Sequence, residues 1–430
     1  MKTRGLLFIL LFASFIVWSQ SRVYPPASLL SKGEPYIPEK EQLEDFSRFK
    51  APVKQAGFYP EEEIGHTYYD LQTNFSISNR IVVYEDNTMG AVFNYGMDYN
   101  QFFPNRGTGY NYFDGSEWNE WPDTALESLR SGWPAYQPWG ENGEINVAHV
   151  SGSGIDGLLI NKRLQKGTGI WDEILFEKPP GTDQILFPHL ATGGTDNQEI
   201  HLLSQVVGII PFQGIMNPPV YSRSSDGGVT WDPENIVLNP IISSNYEEFM
   251  LDQFNMIAEE DYVAIQYGNP WIDLGLLKST DGGDSWEQTI IWEHPYPNNN
   301  GYYPTDTFYC VDGAHHLAFD TENKVHVVFG ITKIVAGNMP VITWFPTVDG
   351  IGYWNEDRPT FSNNLNALNP YDHPDSELVE NYSLIGWTQD VNNNGTIDLL
   401  DDWGEYYLGL SSMPQICIDD FDRITVIWSS

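Results

Sequence analysis

Between Asp390 and Asp401 the chain reads DVNNNGTIDLLD. Asp390, Asn392, Asn394, Asp398 and Asp401 put side-chain oxygens at closely spaced positions around a central Gly395. Hard oxygen donors converging on one point select a hard cation, Ca²⁺, over a transition metal. Other chemistry is harder to place. Two carboxylates across a sugar ring suffice for glycoside hydrolysis, and among 59 acidic residues no pair stands out. His315 and His316 are adjacent, so on a strand they point to opposite faces and cannot grip one ion. His149, His201 and His326 lie in apolar strand-like segments and read as core histidines. No nucleotide loop, zinc pattern or serine-hydrolase elbow is present. Two stretches, Trp133–Glu144 and Glu293–Tyr309, are rich in aromatics and amides. They suit stacking on sugar rings, and equally suit packing against neighbouring structure.

These residues need a scaffold. The chain has 430 residues, 41% hydrophobic and 14% aromatic, with 38 Gly and 28 Pro. That mixture favours many short strands joined by tight turns. The formal net charge of −38 argues against nucleic acid and anionic membrane surfaces as partners. The N-terminus, MKTRGLLFILLFASFIVWSQ, has a basic start and an apolar run from Gly5 to Val17, with Val17 and Ser19 suiting a signal-peptidase site. Residues 1–19 are therefore expected to be a signal peptide, which makes the mature protein secreted or cell-surface. No later run is apolar and long enough for membrane insertion. Cys310 and Cys417, the two cysteines, do not make a disulfide framework.

The scaffold repeats. SSDGGVTW (Ser224–Trp231) and STDGGDSW (Ser279–Trp286) share the pattern Ser-x-Asp-Gly-Gly-x-x-Trp. Weaker copies are FDGSEWN, KGTGIWD and VDGIGYWNE. The tryptophans fall at 118, 171, 231, 286 and 354, in steps of 53, 60, 55 and 68 residues. Out of phase with them run six apolar hairpins, opening near Asn79, before Gly143, and at His189, Phe254, His315 and Pro414. Each unit then holds about four short strands: a hairpin, a third strand leading into the turn, and an outer strand after the tryptophan. Such sheets cannot bury both faces alone and must stack around an axis.

The two clear turns resemble the Asp-box, or BNR repeat, of sialidase-like six-bladed β-propellers. The resemblance covers roughly residues 66–430 and implies an all-β fold. It implies that Ser224, Asp226, Gly228, Trp231, Ser279, Asp281, Gly283 and Trp286 are structural, at the rim. It also raises sialidase chemistry, with three arginines clamping a carboxylate. The first matches Arg80 in Ser78-Asn79-Arg80-Ile81-Val82, although Asn79 and Val82 depart from the family motif. Arg106, Arg130, Arg163, Arg223, Arg358 and Arg423 offer no evident remainder of a triad. The acidic loop is similar to an EF-hand, with Asp390, Asn392, Asn394, Thr396 (through its carbonyl), Asp398 and Asp401 as ligands and Ile397 as apolar anchor. Asp401 in place of Glu resembles the dockerin type. Its expected role is structural, pinning an insertion at 355–412.

Residues 20–65 read as a Pro/Glu-rich leader packed loosely outside the ring. The start of the chain resembles exported propellers that use type IX secretion. The sixth hairpin has no turn or outer strands after it, so either the segment Thr67–Asn79 closes the last blade or the C-terminus is truncated. The expected function is a non-catalytic glycan- or protein-binding module, monomeric, with a structural Ca²⁺ site. The alternatives are a sialidase-like exo-glycoside hydrolase and a scaffold domain of a longer surface protein.

Overall fold

The computed structural model describes residues 22–35, 61–98, 103–152, 154–299, 301–338, 341–390, 394–397 and 407–430. The signal peptide and much of the leader lie outside the described residues.

A single helical turn, α1 (Ala27–Leu30), and a two-residue strand, β1 (Glu34–Pro35), come first. Six antiparallel sheets then follow in chain order. The first is β2 (Ile81–Val83), β3 (Met89–Tyr95) and β4 (Gly107–Phe113). The second is β5 (Ser131–Trp139), β6 (Gly143–Val150), β7 (Gly157–Arg163) and β8 (Asp172–Glu177). The third is β9 (Gln184–Gly193), β10 (Glu199–Val207) and β11 (Pro219–Ser224). The fourth is β12 (Phe254–Glu259), β13 (Tyr262–Asn269), β14 (Ile272–Ser279) and β15 (Glu287–Trp292). The fifth holds β16 (Phe308–Phe319), β17 (Val325–Ala336), β18 (Ile342–Trp344) and β19 (Ile351–Asn355), then, after α2 (Glu377–Glu380), β20 (Leu384–Gly386). The sixth is β21 (Ser412–Ile418) paired with β22 (Ile424–Ser429).

Local chemistry explains the meander. Each opening hairpin turns through a left-handed residue: Asn87, Gly140, Asn197, Glu260, Asn323 and Asp422. Four of these are Asn or Asp, which tolerate that conformation and bond their own turns. Between turns the second strands are apolar almost throughout, and every residue of β6 and β7 is buried. A strand covered on both faces must read this way. The cover comes from sequence neighbours. Ile145, Leu158 and Ile160 pack with Leu190, Ile200 and Leu202 of the next sheet. Leu203 and Tyr221 pack with Phe254, Ile265 and Tyr267. Leu274 and Leu276 pack with Phe308, Val325 and Val327. Val328 and Tyr353 pack with Ile416.

The two clear Asp-box turns are tied alike. Ser224 Oγ donates to Asp226 Oδ1 (2.8 Å) and accepts from the Gly228 amide (2.7 Å). Asp226 also accepts from the amides of Val229 and Thr230 and from the Thr230 hydroxyl. Ser279, Asp281, Gly283 and Ser285 repeat the set. Hydrogen bonds led by the Thr230 and Ser285 hydroxyls hold Asp226 and Asp281 down at about 2. Gly227, Gly228, Gly282 and Gly283 all have left-handed φ, and a Cβ on Gly283 would meet the Tyr221 hydroxyl at 2.3 Å. Each tryptophan packs back on earlier structure: Trp171 on Tyr110, Trp231 on Phe176 and Trp286 on Tyr221.

A second device joins the turns. Cations near the ends of three third strands, β7, β11 and β14, reach the next sheet. Lys162 donates to the Gly227 carbonyl. Arg223 donates to the Gly282 carbonyl (2.7 Å) and pairs with Asp284 (2.7 Å). Lys278 pairs with Glu356 (2.7 Å), just after β19.

Four expectations need correction. VDGIGYWNE is not a fifth Asp-box turn, because Gly350 leads into β19 and Trp354 lies within it. Asp349 instead accepts from Thr388 and Ser411 and so pins the insertion. The insertion is not all added material, since its β20 pairs with β19 as the outer strand of the fifth sheet. The leader is not uniformly loose, because β1 pairs with β18. Arg22 there lies over Tyr24, Tyr371 and Trp387 and donates to the Pro370 carbonyl. Finally, Thr67–Asn79 does not join the sixth sheet but crosses between other sheets, as described below. Cys310 and Cys417 are both free thiols, the first buried and the second exposed. Among the described residues no helix is long and apolar enough to cross a membrane.

Ser224 is 1% exposed. Ser224→Ala would leave the Gly228 amide and one bond to Asp226 unmade, and is expected to lower stability by about 1–3 kcal/mol. Urea denaturation checks this, and Ser279→Ala is expected to behave alike.

Candidate functional site at the opposite end from the Asp-boxes

Antiparallel pairing fixes which ends of the strands lie together. The Asp-box turns follow third strands, so they sit where the inner strands finish. The opposite end, where the inner strands begin, has a different construction. Three inner strands are bulged beside a left-handed residue: Trp133 (φ 53°) in β5, Gly313 (φ 93°) in β16 and Met413 (φ 51°) in β21. The ladder also slips where β9 passes Phe187 (φ 54°), and Asp252 (φ 60°) stands just before β12. Bulges re-aim side chains, and non-glycine residues with positive φ persist only where surrounding structure holds them. Proline follows Trp133, Phe187 and Met413, as suits a bulge where the ladder needs no N–H.

The segment 67–80 lies across this end. Gln72 exchanges bonds with Asn94 in the first sheet. Ser78 Oγ donates to the Pro134 carbonyl and Asn79 to the Tyr136 carbonyl in the second, each at 2.8 Å. The Ser76 amide donates to the Asp252 carbonyl (3.2 Å), at the entry to the fourth. Ser76 Oγ donates to the Gly313 carbonyl (3.3 Å) and lies 3.4 Å from His315 Nδ1, in the fifth. The chain itself thus bonds to four of the sheets at this end.

Arg80 sits inside this arrangement. Its Nε donates to Ser78 Oγ (3.2 Å) and its Nη2 to the Gln72 carbonyl (2.9 Å). Burial lowers it to about 10, against the opposing pull of Asp252. Burial raises the Asp252 carboxyl, with His189 Nε2 3.4 Å away opposing. The other arginines have protein partners, and two of them meet at one hydroxyl. Arg106 donates to Tyr69, Ser131 and Ser151, and lies over the Tyr69 and Trp133 rings. Arg130 shares the Ser151 hydroxyl with it. Arg163 pairs with Glu144 (2.5 Å). Arg358 donates to the Asn381 and Tyr382 carbonyls, and Arg423 pairs with Asp419. No three arginines meet among the described residues.

A tyrosine–carboxylate pair does exist, Tyr136 with Glu144, but Glu144 is wholly buried and also holds Tyr110 and Arg163. It knits the first two sheets together. Asp312 is another buried carboxyl, raised to about 7 by burial and countered by the Ser412 hydroxyl at 2.6 Å. Burial lowers His315 to about 3 and His316 to about 4, so both are neutral, as befits core histidines. The clustering of Trp133, Phe187 and Asp252 was not read from the sequence. The Trp-Pro and Phe-Pro pairs at inner-strand starts were the available signal.

The acidic loop is partly described. Asp390 Oδ1 and Oδ2 accept from the amides of Asn394 (3.1 Å) and Gly395 (2.8 Å). Asn394 Oδ1 accepts from the Thr396 amide (2.8 Å) and hydroxyl. Gly395 has φ 81° and Ile397 is buried. Asn392, Asp398 and Asp401 lie outside the described residues.

No protein-family model matches the chain, and no curated protein does. Among solved structures it is similar to Trypanosoma rangeli sialidase, with 13% identity and a TM-score of 0.40, covering 82% of this chain and 52% of that one. It thus spans about half the length of that sialidase. It is similar to the GH93 α-L-arabinofuranosidase of Fusarium graminearum, with 12% identity and a TM-score of 0.37, covering 62% and 91%. It is similar to an endo-arabinase from Bacteroides thetaiotaomicron, with 12% identity and a TM-score of 0.34, covering 66% and 96%.

Asp312 has a clear pH signature. Its carboxyl ionises near 4 when unfolded and at about 7 when folded. The unfolded chain therefore releases this proton first, and stability falls as pH rises between those values. Asp312→Asn removes that cost. The variant's melting temperature relative to the parent is expected to climb from pH 4 to about 7 and then level off.

Proposed function

We propose that this chain is an exported, monomeric, six-bladed Asp-box propeller that binds glycan or protein ligands without catalysis and carries a structural Ca²⁺ site. One observation carries the non-catalytic reading. The segment 67–80 crosses the end where the inner strands begin, and it engages the first, second, fourth and fifth sheets there. Arg80, the candidate carboxylate clamp, is held by that same segment. A sialidase needs this arginine free for substrate, with two more beside it. The alternatives remain a sialidase-like exo-glycoside hydrolase and a scaffold within a longer surface protein, and the first of these is open to direct assay.

The mature chain, folded by circular dichroism, is expected to show no turnover of fluorogenic sialosides or neutral glycosides from acidic to neutral pH. Turnover that disappears in a folded Arg80→Ala variant would make it an enzyme instead.

For Ca²⁺, the described part of the loop fits the ion. Asp390 is turned towards the loop's own amides, Gly395 supplies the sharp left-handed turn, and Ile397 anchors the loop in apolar surroundings. Chelation is expected to lower the melting temperature of the parent chain, and to leave that of Asp390→Ala unmoved. Equal melting curves of the parent with Ca²⁺ and with chelator would remove the metal from this reading.

A further inference from the structure

The turn between β7 and β8 occupies an Asp-box position but has lost the residues that tie one. Counting back from Trp171, Leu164 replaces the serine, Lys166 the aspartate, Thr168 the second glycine and Ile170 the hydroxyl residue before the tryptophan. Nothing there can repeat the Ser–Asp ties of the next two turns. Lys166 instead leaves the turn to pair with Asp86 (2.9 Å) in the first sheet. The turn, held instead by Arg163 on the Gly169 carbonyl and Glu144 on the Gly167 amide, borders a cavity of about 530 Å³, and Trp139 from the end of β5 forms part of its wall. That volume suits a small ligand.

The lining has a definite chemistry. Lys162 is 9% exposed, lies 4.7 Å from the Trp139 ring centroid and spends one donor on the Gly227 carbonyl. An ammonium has three donors, and among the described residues no carboxylate comes within ion-pair distance of this one. Asp172, its cross-strand partner, is exposed at the cavity and adds an acceptor. Gln165 and Thr168 add an amide and a hydroxyl. Leu164 (79% exposed) and Ile170 (93% exposed) flank the opening. Arg163, the other cation present, is neutralised by Glu144.

We propose that this cavity is a subsite for one uncharged sugar residue of a saccharide chain. Donors and acceptors are balanced around an indole and two aliphatic side chains, which fits a ring with hydroxyls at its edge and C–H groups on its faces. A carboxylated or sulfated sugar would meet Asp172 and the field of a chain with net charge −38. The subsite rests on the glycan-binding reading and lies at the Asp-box end, away from Arg80.

The test is calorimetric titration of the mature chain with neutral oligosaccharides of differing configuration, alongside uronate-containing and sulfated ones. Asp172→Ala and Ile170→Glu, both at exposed positions, are compared after their melting temperatures are matched to the parent. Binding of a neutral oligosaccharide that weakens at least about tenfold in both variants is the expected result. Neutral binding unchanged in both would overturn the cavity but keep the glycan reading. Binding of charged saccharides alone would overturn the ligand class. A folded parent that binds no saccharide would overturn the subsite and the glycan reading together.

Discussion

The structure depends on one constraint: none of its sheets can cover its own faces. Each is two to six strands across, so it is stable only while its neighbours in the chain lie against it. Burial supplies the attraction but is indifferent to exact placement. Placement comes from the Asp-box end. A tied turn there presents a fixed carbonyl, and a cation from the preceding third strand reaches it. Lys162 meets Gly227 and Arg223 meets Gly282 in this way. Lys278 makes the corresponding contact through Glu356. The tie and the clasp are interdependent, since a turn free to move would offer no fixed acceptor. A repeated turn with a catalytic aspartate would have no reason to consume that aspartate's oxygens on its own amides, as Asp226 and Asp281 do.

The other end solves a different problem. Inner strands that begin side by side leave backbone and polar groups facing a shared space. Here a length of the chain itself bonds to such groups in four of the sheets. The bulges at Trp133 and Gly313 and the left-handed turn at Asp252 are consistent with strands bent to receive it. Burial then sets the electrostatics. His315 and His316 lose their charge, Asp312 holds its proton to about neutrality, and Asp252 is buried between Arg80 and His189. These shifts need no catalytic purpose, because enclosure alone drives each in the observed direction.

Much of this was legible in the sequence because it is periodic. The six hairpins read from apolar runs are the pairs β2–β3, β5–β6, β9–β10, β12–β13, β16–β17 and β21–β22. In the two clear turns Ser224 and Ser279 bond Asp226 and Asp281, and Trp231 and Trp286 pack on Phe176 and Tyr221. The readings that failed depended on single occurrences. Asp349-Gly350 has the right spacing to Trp354, yet spacing cannot tell a turn from the entry to a strand. The leader looked loose by composition, but Arg22 finds three aromatic rings and Pro35 an open strand edge far along the chain. The segment 67–79 has strand-like residues and no strand, because its partners are carbonyls and side chains from several sheets rather than one ladder. Such contacts leave no local pattern.

Cations are scarce in this protein, 21 against 59 acids, so their placement is informative. Three of them, Lys162, Arg163 and Lys166, fall within five residues at a turn that has lost the serine, the aspartate and the second glycine of the box. Each compensates for something missing. Lys166 gives that turn an anchor on the first sheet in place of an internal one. Arg163 neutralises the carboxylate that joins the first two sheets. Lys162 keeps the forward clasp to Gly227, although its own turn lacks the Ser–Asp ties and is held instead through Arg163 and Glu144. The degenerate copy is therefore still held from both sides, while Leu164 and Ile170 stay exposed. Leu164 and Ile170 project from it into solvent beside an indole. In the proposed subsite these two side chains would meet the C–H faces of the sugar.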